Sequence, residues 1–199
     1  KLGDKMSVEE AYRLAADCAR AAGAPYIAGD IGPTGSLLEP MGTLSFDEAY
    51  DIFAEQVRAA VAAGCDIILV ETMADLREAK AALLAARENS TLPVFVTMTF
   101  GEDGRTFLGT TPEIAAEVLS SLGAQAVGLN CSLGPAELTG AARAMASRVR
   151  CPLMAQPNAG LPRMENGETV FDVGPEEFAR AMGPLLDAGA SIVGGCCGT

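Results

Sequence analysis

Six short apolar runs recur along the chain, and longer amphipathic stretches separate them. Each run is about five residues long, does not alternate with polar positions, and ends on a polar or small residue. Strands that are buried on both faces of a parallel sheet have this pattern. The predicted strands therefore lie at residues 26–30, 67–71, 94–98, 126–130, 152–156 and 191–195.

The stretches between the runs carry signals for the starts and ends of helices. Ser7, Ser45 and Asp75 each stand three residues before a glutamate, which is the spacing of a capping box. Other helices are predicted to begin at a proline, and helices are predicted to end at glycines. These residues are Pro112, Pro135 and Pro175, and Gly23, Gly64, Gly123 and Gly189. The two longest connections, at residues 31–44 and 157–173, are predicted to be loops.

A repeated strand–helix unit favours either an open, doubly wound sheet or most of an eight-stranded barrel. No GxGxxG follows the first run and no GxxxxGK[ST] occurs, which argues against nucleotide-binding folds. The sequence opens on a predicted helix and stops at Thr199, directly after the last predicted strand. A barrel would need two more strands before Lys1 and a helix after Thr199. We therefore expect residues 1–199 to be a single, partial domain.

Composition narrows the classes of function. Hydrophobic residues make up 49% of the 199 residues and charged residues 20%, a balance typical of a globular protein. The formal net charge of −12 argues against binding to nucleic acid or to an anionic membrane. No apolar stretch is long enough to span a bilayer, and residues 1–10 lack the apolar core of a signal peptide, so we expect a cytoplasmic protein. The absence of histidine excludes Ser-His-Asp triads and histidine-ligated metal sites.

The six cysteines divide into two groups by their positions. Cys131 follows one predicted strand, and Cys196 and Cys197 end the last one. Because the carboxyl ends of parallel strands meet at one edge of a sheet, three thiolates there could hold Zn²⁺ and leave its fourth position open. A packed thiol is the common alternative for any single cysteine, and it stays open here. The remaining cysteines are predicted to be packed thiols: Cys18, Cys65 and Cys151.

Two motifs resemble those of a known family. Asn130-Cys131-Ser132 and the run GGCCGT at residues 194–199 are similar to the two zinc motifs of the homocysteine S-methyltransferase family, and the 65-residue separation of Cys131 from Cys196 suits that family. The resemblance is strongest to the homocysteine-binding module of cobalamin-dependent methionine synthase, and it covers nearly the whole chain. Further matching segments lie at residues 29–35, 46–49, 71–76 and 156–160.

The resemblance implies a fold and also its incompleteness. The family folds as a (β/α)8 TIM barrel, so the six predicted strands correspond to its third to eighth strands. The family's first-strand Asp-Gly motif, its second-strand Glu-Thr-Asn motif and its last helix have no counterpart here. The strands that begin at Tyr26 and Ser191 would then be sheet edges, without the lysines or interior prolines that block edge pairing. We expect these edges to join a homo-oligomer or a complementing chain.

The resemblance also implies an activity, the zinc-dependent transfer of a methyl group to the thiol of homocysteine, which gives methionine. Cys131, Cys196 and Cys197 would hold the zinc. The methyl carrier would be methylcobalamin on another domain or protein, with cobalamin- and folate-binding domains as partners, whereas other relatives use S-methylmethionine or betaine. This chain cannot itself contain a cobalamin-binding Asp-x-His-x-x-Gly motif, because it has no histidine.

Five further residues acquire candidate roles from the resemblance. Glu71 would bind the ammonium group of the substrate, and Asp30, at another strand end, would also contact the substrate. Asn130 and Ser132 would hydrogen-bond a cysteine sulfur or the substrate. Asn158 would make a weak oxygen contact with zinc when substrate is absent. Plainer interpretations stay open, with Glu71 as a helix-start carboxylate and with Asp30 and Asn158 as turn-forming residues.

Two other classes of function remain as alternatives. In the first, the chain is a TIM-barrel enzyme of another chemistry, with Gly194 and Gly195 forming a phosphate site at the last strand. The adjacent cysteines argue against this, because a phosphate site uses backbone amides rather than thiolates. In the second, the chain is a non-catalytic zinc or redox-thiol module.

Overall fold

A computed structural model of the protein describes residues 5–165 and 167–199, so residues 1–4 of the N-terminal segment lie outside the described part. All six predicted strands are present, and the structure adds two short strands. The strands are β1 (Ala28–Ile31), β2 (Ile67–Met73), β3 (Val94–Met98), β4 (Ala126–Asn130), β5 (Leu153–Gln156), β6 (Arg163–Glu165), β7 (Glu168–Val170) and β8 (Ala190–Val193).

A helix precedes the first strand, and the others lie between successive strands of the large sheet. They are α1 (Val8–Ala21), α2 (Phe46–Ala62), α3 (Leu76–Asn89), α4 (Pro112–Ser121), α5 (Pro135–Ala146), α6 (Pro175–Ala181) and α7 (Gly183–Asp187). The predicted prolines begin α4, α5 and α6, and the predicted glycines follow helix ends with positive φ angles, from 73° at Gly64 to 111° at Gly189. No helix in residues 5–165 and 167–199 is both long enough and apolar enough to cross a bilayer.

The order of the strands distinguishes between the two architectures that the sequence allowed. The large sheet runs β1-β2-β3-β4-β5-β8, all parallel, so each strand lies beside the previous one in this series. A doubly wound sheet reverses its strand order at a switch point, and this sheet does not. Consecutive helices also contact one another in chain order. The chain therefore has an α/β fold with a six-stranded parallel sheet that is compatible with part of a TIM barrel.

The two ends of this order are β1 and β8. The predicted edges at Tyr26 and Ser191 thus lie at the strands expected, although the strands themselves begin at Ala28 and Ala190. Pairing of these edges with another copy or another chain stays a prediction.

One face of the sheet forms the apolar core with the helices. Ile68, Val70, Val96 and Leu129 are fully buried in one cluster with helix residues such as Phe53. We call this cluster the helix-facing core. It consists largely of aliphatic and small side chains, and α2 and α3, which both bury several alanines, pack against each other.

One predicted capping box is confirmed and another is wrong. Ser45 and Glu48 make both reciprocal hydrogen bonds at the start of α2. At the start of α3, Asp75 accepts a hydrogen bond from the backbone N–H of Arg77, and buried Glu78 turns elsewhere. Its Oε1 accepts hydrogen bonds from the backbone N–H and the hydroxyl of Thr34, each at 2.7 Å. The carboxylate fixes the loop after β1, because two partly buried donors there share it as their acceptor. At the first predicted box, Ser7 accepts a bond from the N–H of Glu10.

The predicted loop at residues 157–173 contains the antiparallel hairpin of β6 and β7. Both strands are largely exposed, so the hairpin lacks the apolar run that identified the other strands. Downstream, α6 and α7 divide the connection to β8 at Gly183 and Pro184, since proline cannot donate the hydrogen bond that a continuous helix needs there.

Candidate metal centre

Three cysteine sulfurs lie together at the carboxyl ends of the strands. The Sγ atoms of Cys131, Cys196 and Cys197 all lie within 4.8 Å of one another. Cys197 Sγ is 3.8 Å from Cys131 Sγ and 3.9 Å from Cys196 Sγ. Zinc–sulfur bonds of about 2.3 Å at tetrahedral angles would separate the ligand sulfurs by about 3.8 Å. The structure thus brings the three strand-end cysteines to a spacing that suits one zinc ion.

The end of β5 holds the two cysteine-bearing segments on either side of it. The backbone N–H of Cys131 donates to the carbonyl of Gln156 at 3.0 Å, and the N–H of Cys196 donates to the carbonyl of Pro157 at 2.9 Å. The N–H of Ala159 donates to the carbonyl of Cys197 at 2.9 Å. Backbone hydrogen bonds with the end of β5 and the residues directly after it therefore fix the positions of all three cysteines. We call the carboxyl ends of β2, β4, β5 and β8, with Cys131, Cys196 and Cys197, the cysteine edge.

Left-handed backbone conformations are concentrated at the cysteine edge. Thr72, Cys131 and Ser132 have φ angles of 61°, 62° and 64°, and they are the non-glycine residues with positive φ in the described chain. This conformation is unfavourable for residues with a Cβ, above all for a β-branched threonine, and it persists only where surrounding contacts impose it. Such strain is often found at functional sites.

Asn130 supplies many of those contacts. Its Oδ1 accepts hydrogen bonds from the backbone N–H of Thr72 and the hydroxyl of Thr97, both at 2.8 Å. Its Nδ2 donates to the hydroxyl of Thr72 at 2.8 Å and to Cys196 Sγ at 3.8 Å. Asn130 is fully buried, and these four bonds use its amide completely. Of its two predicted roles, these contacts favour the bond to a cysteine sulfur over contact with substrate.

The two predicted carboxylates, Glu71 and Asp30, lie close enough to interact electrostatically, and Glu71 also interacts with Cys197. Burial, and then the charge of Asp30, raise the pKa of Glu71 above its usual value. Burial also raises the pKa of Asp30, although the backbone N–H of Ile31 partly opposes this shift. The negative charge of Glu71 in turn contributes to the raised pKa of Cys197. This part of the site therefore carries crowded negative charge, which a cationic group would relieve.

Asn158 and Ser132 occupy different environments. Asn158 is buried, and its Oδ1 accepts a hydrogen bond of 3.0 Å from the backbone N–H of Cys197. This bond fastens the cysteine segment, and it uses the oxygen that was predicted to contact zinc. Ser132 is exposed and lines a cleft of about 330 Å³ together with Ala74, Thr99 and Phe107. Of these two residues, Ser132 is the one exposed to solvent.

The pKa values of the clustered thiols indicate whether a metal ion would suit this site. Burial, followed by the neighbouring Cys131 and Cys197 thiols, raises the pKa of Cys196 to about 12. Burial and the Cys131 thiol also raise the pKa of Cys197. Three thiolates so close together repel one another, and a divalent cation at their centre removes that repulsion. Because soft thiolate ligands suit zinc, this donor set fits the ion.

The other three cysteines lie apart from this cluster. Cys65 is buried in the helix-facing core, where a Cβ built on Gly29 would lie 3.4 Å from its sulfur. Cys18 is exposed on α1, and Cys151 is partly buried before β5. Cys18 is thus not packed as predicted, because its helix presents it to solvent.

The glycines at the end of β8 do not resemble a phosphate site. The backbone N–H of Gly194 donates to the carbonyl of Ala155, and that of Cys196 to Pro157. The N–H of Cys197 is bonded to Asn158. A phosphate site needs several free amides aimed at one point, and these three are already bonded.

Sequence reasoning missed Thr72, Thr97 and Gln156, which all lie among the site residues. The threonines complete the Asn130 network, and buried Gln156 Oε1 has no hydrogen-bond partner in the described chain. Thr97 and Gln156 are polar residues within apolar runs, and that signal could have identified them. Thr72 follows Glu71 in a bulge of β2 between Val70 and Met73, which nothing in the sequence indicates.

Similarity to known proteins agrees with this geometry. Residues 1–199 match the family model described as homocysteine S-methyltransferase. Over 180 residues, or 87% of the chain, the sequence is 36% identical to methionine synthases from Mycobacterium leprae and Mycobacterium tuberculosis. The alignment spans 15% of the length of these relatives.

A solved structure shares the fold. The metallated form of the homocysteine methyltransferase MmuM from Escherichia coli superposes with a TM-score of 0.75 at 22% identity. The match covers 96% of this chain and 66% of that one. At this identity the likeness concerns the fold, and the family assignment rests on the match over residues 1–199. The chain belongs to the homocysteine S-methyltransferase family.

Proposed function

We propose that this chain binds zinc through Cys131, Cys196 and Cys197 and transfers a methyl group to the thiol of homocysteine, giving methionine. The observation that carries the proposal is the cluster of three free thiols at zinc-ligand spacing in a member of this family. Cys197 is exposed, so that a ligand can approach the cluster from outside. We treat residues 1–199 as a single, partial barrel domain that carries this site.

A zinc ion held by three thiolates supplies an open fourth position where a substrate thiol binds as its thiolate and stays nucleophilic. The chain's own residues do the rest. The carbonyls of Gln156 and Pro157 and the side-chain oxygen of Asn158 accept hydrogen bonds from the three cysteine N–H groups, so that little reorganisation is needed when substrate arrives. The transfer itself needs no general base, which agrees with a chain that has no histidine.

Glu71 is the proposed partner of the substrate ammonium. Its carboxylate is half-buried and lies close enough to Asp30 and Cys197 to interact electrostatically with both. A bound ammonium would offset the crowded negative charge and would hold Glu71 in its ionised form. Asp30 would add to the negative potential at the same place. Ser132, in its exposed cleft, would contact the substrate or the methyl donor.

Methylcobalamin carried on another domain or protein is the proposed methyl source. The relatives named methionine synthase are much longer than this chain, which leaves room for cobalamin- and folate-binding domains. S-methylmethionine and betaine are the alternative donors. Production of methionine from homocysteine with each donor in turn identifies the one that the protein uses.

X-ray absorption at the zinc edge tests the site. We expect one zinc with three sulfur ligands in the reduced protein, and four after L-homocysteine is added. L-Methionine is the control, because its methylated sulfur cannot bind as a thiolate, and the shell should stay at three sulfurs. A four-sulfur shell before addition would support a non-catalytic zinc module. Protein without stoichiometric zinc under reducing conditions would contradict the proposal.

A further inference from the structure

Gln156 lies at the centre of the cysteine edge. It is the last residue of β5, and its Cα pairs with that of Asn130 on β4. Its carbonyl accepts the bond from the N–H of Cys131, and the next carbonyl along the chain holds Cys196. Any movement of Gln156 would therefore move two of the three cysteines.

The side chain of Gln156 shares a face with the Asn130 network. Paired residues of parallel strands point to the same side of a sheet, and Asn130 points toward Thr72, Thr97 and Cys196. On the other flank, a Cβ built on Gly194 would lie 3.4 Å from Gln156 Cγ and 3.6 Å from Nε2. The Gln156 amide thus lies on the face of the sheet that carries the Asn130 network, close to Gly194.

The amide oxygen of Gln156 has no hydrogen-bond partner among the described residues. Gln156 Oε1 is buried, and in residues 5–165 and 167–199 it is the buried side-chain nitrogen or oxygen without a hydrogen-bond partner. Nearby buried amides behave differently, since Asn130 and Asn158 both accept hydrogen bonds. An unpaired buried acceptor destabilises a fold, and a ligand that supplies the missing donor removes that penalty.

We propose that Gln156 Oε1 binds the α-ammonium of the amino-acid thiol held at the cysteines, an inference that rests on the proposed function. Homocysteine bound as a thiolate has one group that donates hydrogen bonds, its ammonium, whereas its carboxylate only accepts them. An ammonium carries three N–H donors, so a hydrogen bond to Gln156 leaves donors for Glu71. The two residues flank the same network, because Asn130 bonds to Thr72, the neighbour of Glu71, and pairs with Gln156.

Calorimetric titration of the zinc-loaded Gln156→Leu protein tests this role. The ligands are L-homocysteine and 4-sulfanylbutanoate, which has the same thiol and carboxylate but no ammonium. Losing a hydrogen bond to a charged group should weaken homocysteine binding about ten- to a hundred-fold. Binding of 4-sulfanylbutanoate should stay unchanged. Gln156→Glu, which keeps an acceptor at this position, should retain homocysteine binding.

Stability supplies a second readout that a merely structural role would not produce. Because leucine removes the unpaired acceptor, Gln156→Leu should melt a few degrees above the parent in the absence of ligand. Zinc content, measured in the same samples, should stay at the parent level. Weaker homocysteine binding together with a higher Tm is the expected combination.

The outcomes separate this inference from the proposed function. Unchanged homocysteine binding in Gln156→Leu, or an equal loss for both ligands, overturns the role of Gln156 and leaves the proposed function standing. A lower Tm with lost zinc identifies Gln156 as a structural support and also overturns the inference. A parent protein that binds neither thiol overturns the inference and the proposed function together.

Discussion

The helix-facing core and the cysteine edge belong to the same strands but differ in almost every physical respect. In the core, residues such as Val70, Val96 and Leu129 are apolar and fully buried. At the edge, a few residues further along these strands, the backbone is left-handed at Thr72 and Cys131. Close packing stabilises the core, whereas the cysteine edge contains backbone conformations and charges that are unfavourable in themselves.

Hydrogen bonds to regular elements hold the unfavourable features of the cysteine edge in place. Each unfavourable feature is attached to a regular element: Thr72 to the Asn130 amide, and Cys131 to the last carbonyl of β5. Those elements are in turn held by the apolar core. The core therefore stabilises a site that would not be stable alone, and substitutions in the two regions should have separable effects.

The largest difference between the two regions should be in zinc affinity, when one cysteine in each region is replaced. Structural zinc binds with about 10–16 kcal/mol, so loss of one of three thiolates in Cys131→Ala should cost on the order of 4 kcal/mol of zinc affinity. Cys65→Ala changes the same residue type in the helix-facing core and should leave zinc affinity unchanged. Competition with a chelator measures both. Equal zinc loss from the two variants would contradict the assignment.

A substitution in the core should have the reverse effect. Phe53 is fully buried in α2, and Phe53→Ala should lower the free energy of unfolding by about 3–5 kcal/mol, because it leaves a cavity. The adjacent Ile52 is 41% exposed, and Ile52→Ala should cost far less. Urea unfolding of the zinc-free proteins measures the difference. Zinc stoichiometry in folded Phe53→Ala should match the parent, and its loss would show that the two regions are not separable.

The core was the more predictable region. Its strands were identified within about two residues because an apolar run of five residues is a local signal, and the strand-end cysteines were placed because parallel strands end at one edge. The edge depends on long-range geometry instead. The bulge in β2 that sets the position of Thr72, and the turn of Glu78 toward Thr34, both depend on partners more than 40 residues away. A local sequence pattern cannot predict contacts with residues so far away in the chain.

The link between the two regions can be weakened at Asn130. Asn130→Ala leaves the N–H of Thr72 and the hydroxyl of Thr97 without their acceptor, which should cost about 1–3 kcal/mol of stability. Zinc affinity should fall as well, because Cys196 Sγ loses the hydrogen bond that the Asn130 amide donates to it. The control Thr97→Val removes one bond and leaves the Thr72 contacts, so it should cost about 1 kcal/mol and keep the zinc. If both variants behave alike, Asn130 does not connect Thr72 to the cysteines.

The smallest effect should be on the pH dependence of stability, which should change in opposite directions in Glu71→Gln and Glu48→Gln. Burial and Asp30 raise the pKa of Glu71 in the folded protein, so its ionisation opposes folding as pH rises above the unfolded value of about 4.3. In zinc-free and substrate-free protein, Glu71→Gln should therefore be more stable than the parent at pH 7. That advantage should disappear as pH falls below the unfolded value. Glu48 provides the matched control in the helical layer.

Hydrogen bonds from the backbone and hydroxyl of Ser45 lower the pKa of Glu48, so its ionisation favours folding at neutral pH. Glu48→Gln should be less stable than the parent at pH 7, and this deficit should vanish as pH falls through the lowered pKa. Urea unfolding from pH 3 to pH 8 should thus give difference curves of opposite sign for the two variants. Curves of the same sign would mean that Glu71 is not held in an unfavourable environment. The argument that a substrate ammonium relieves its charge would then lose its basis.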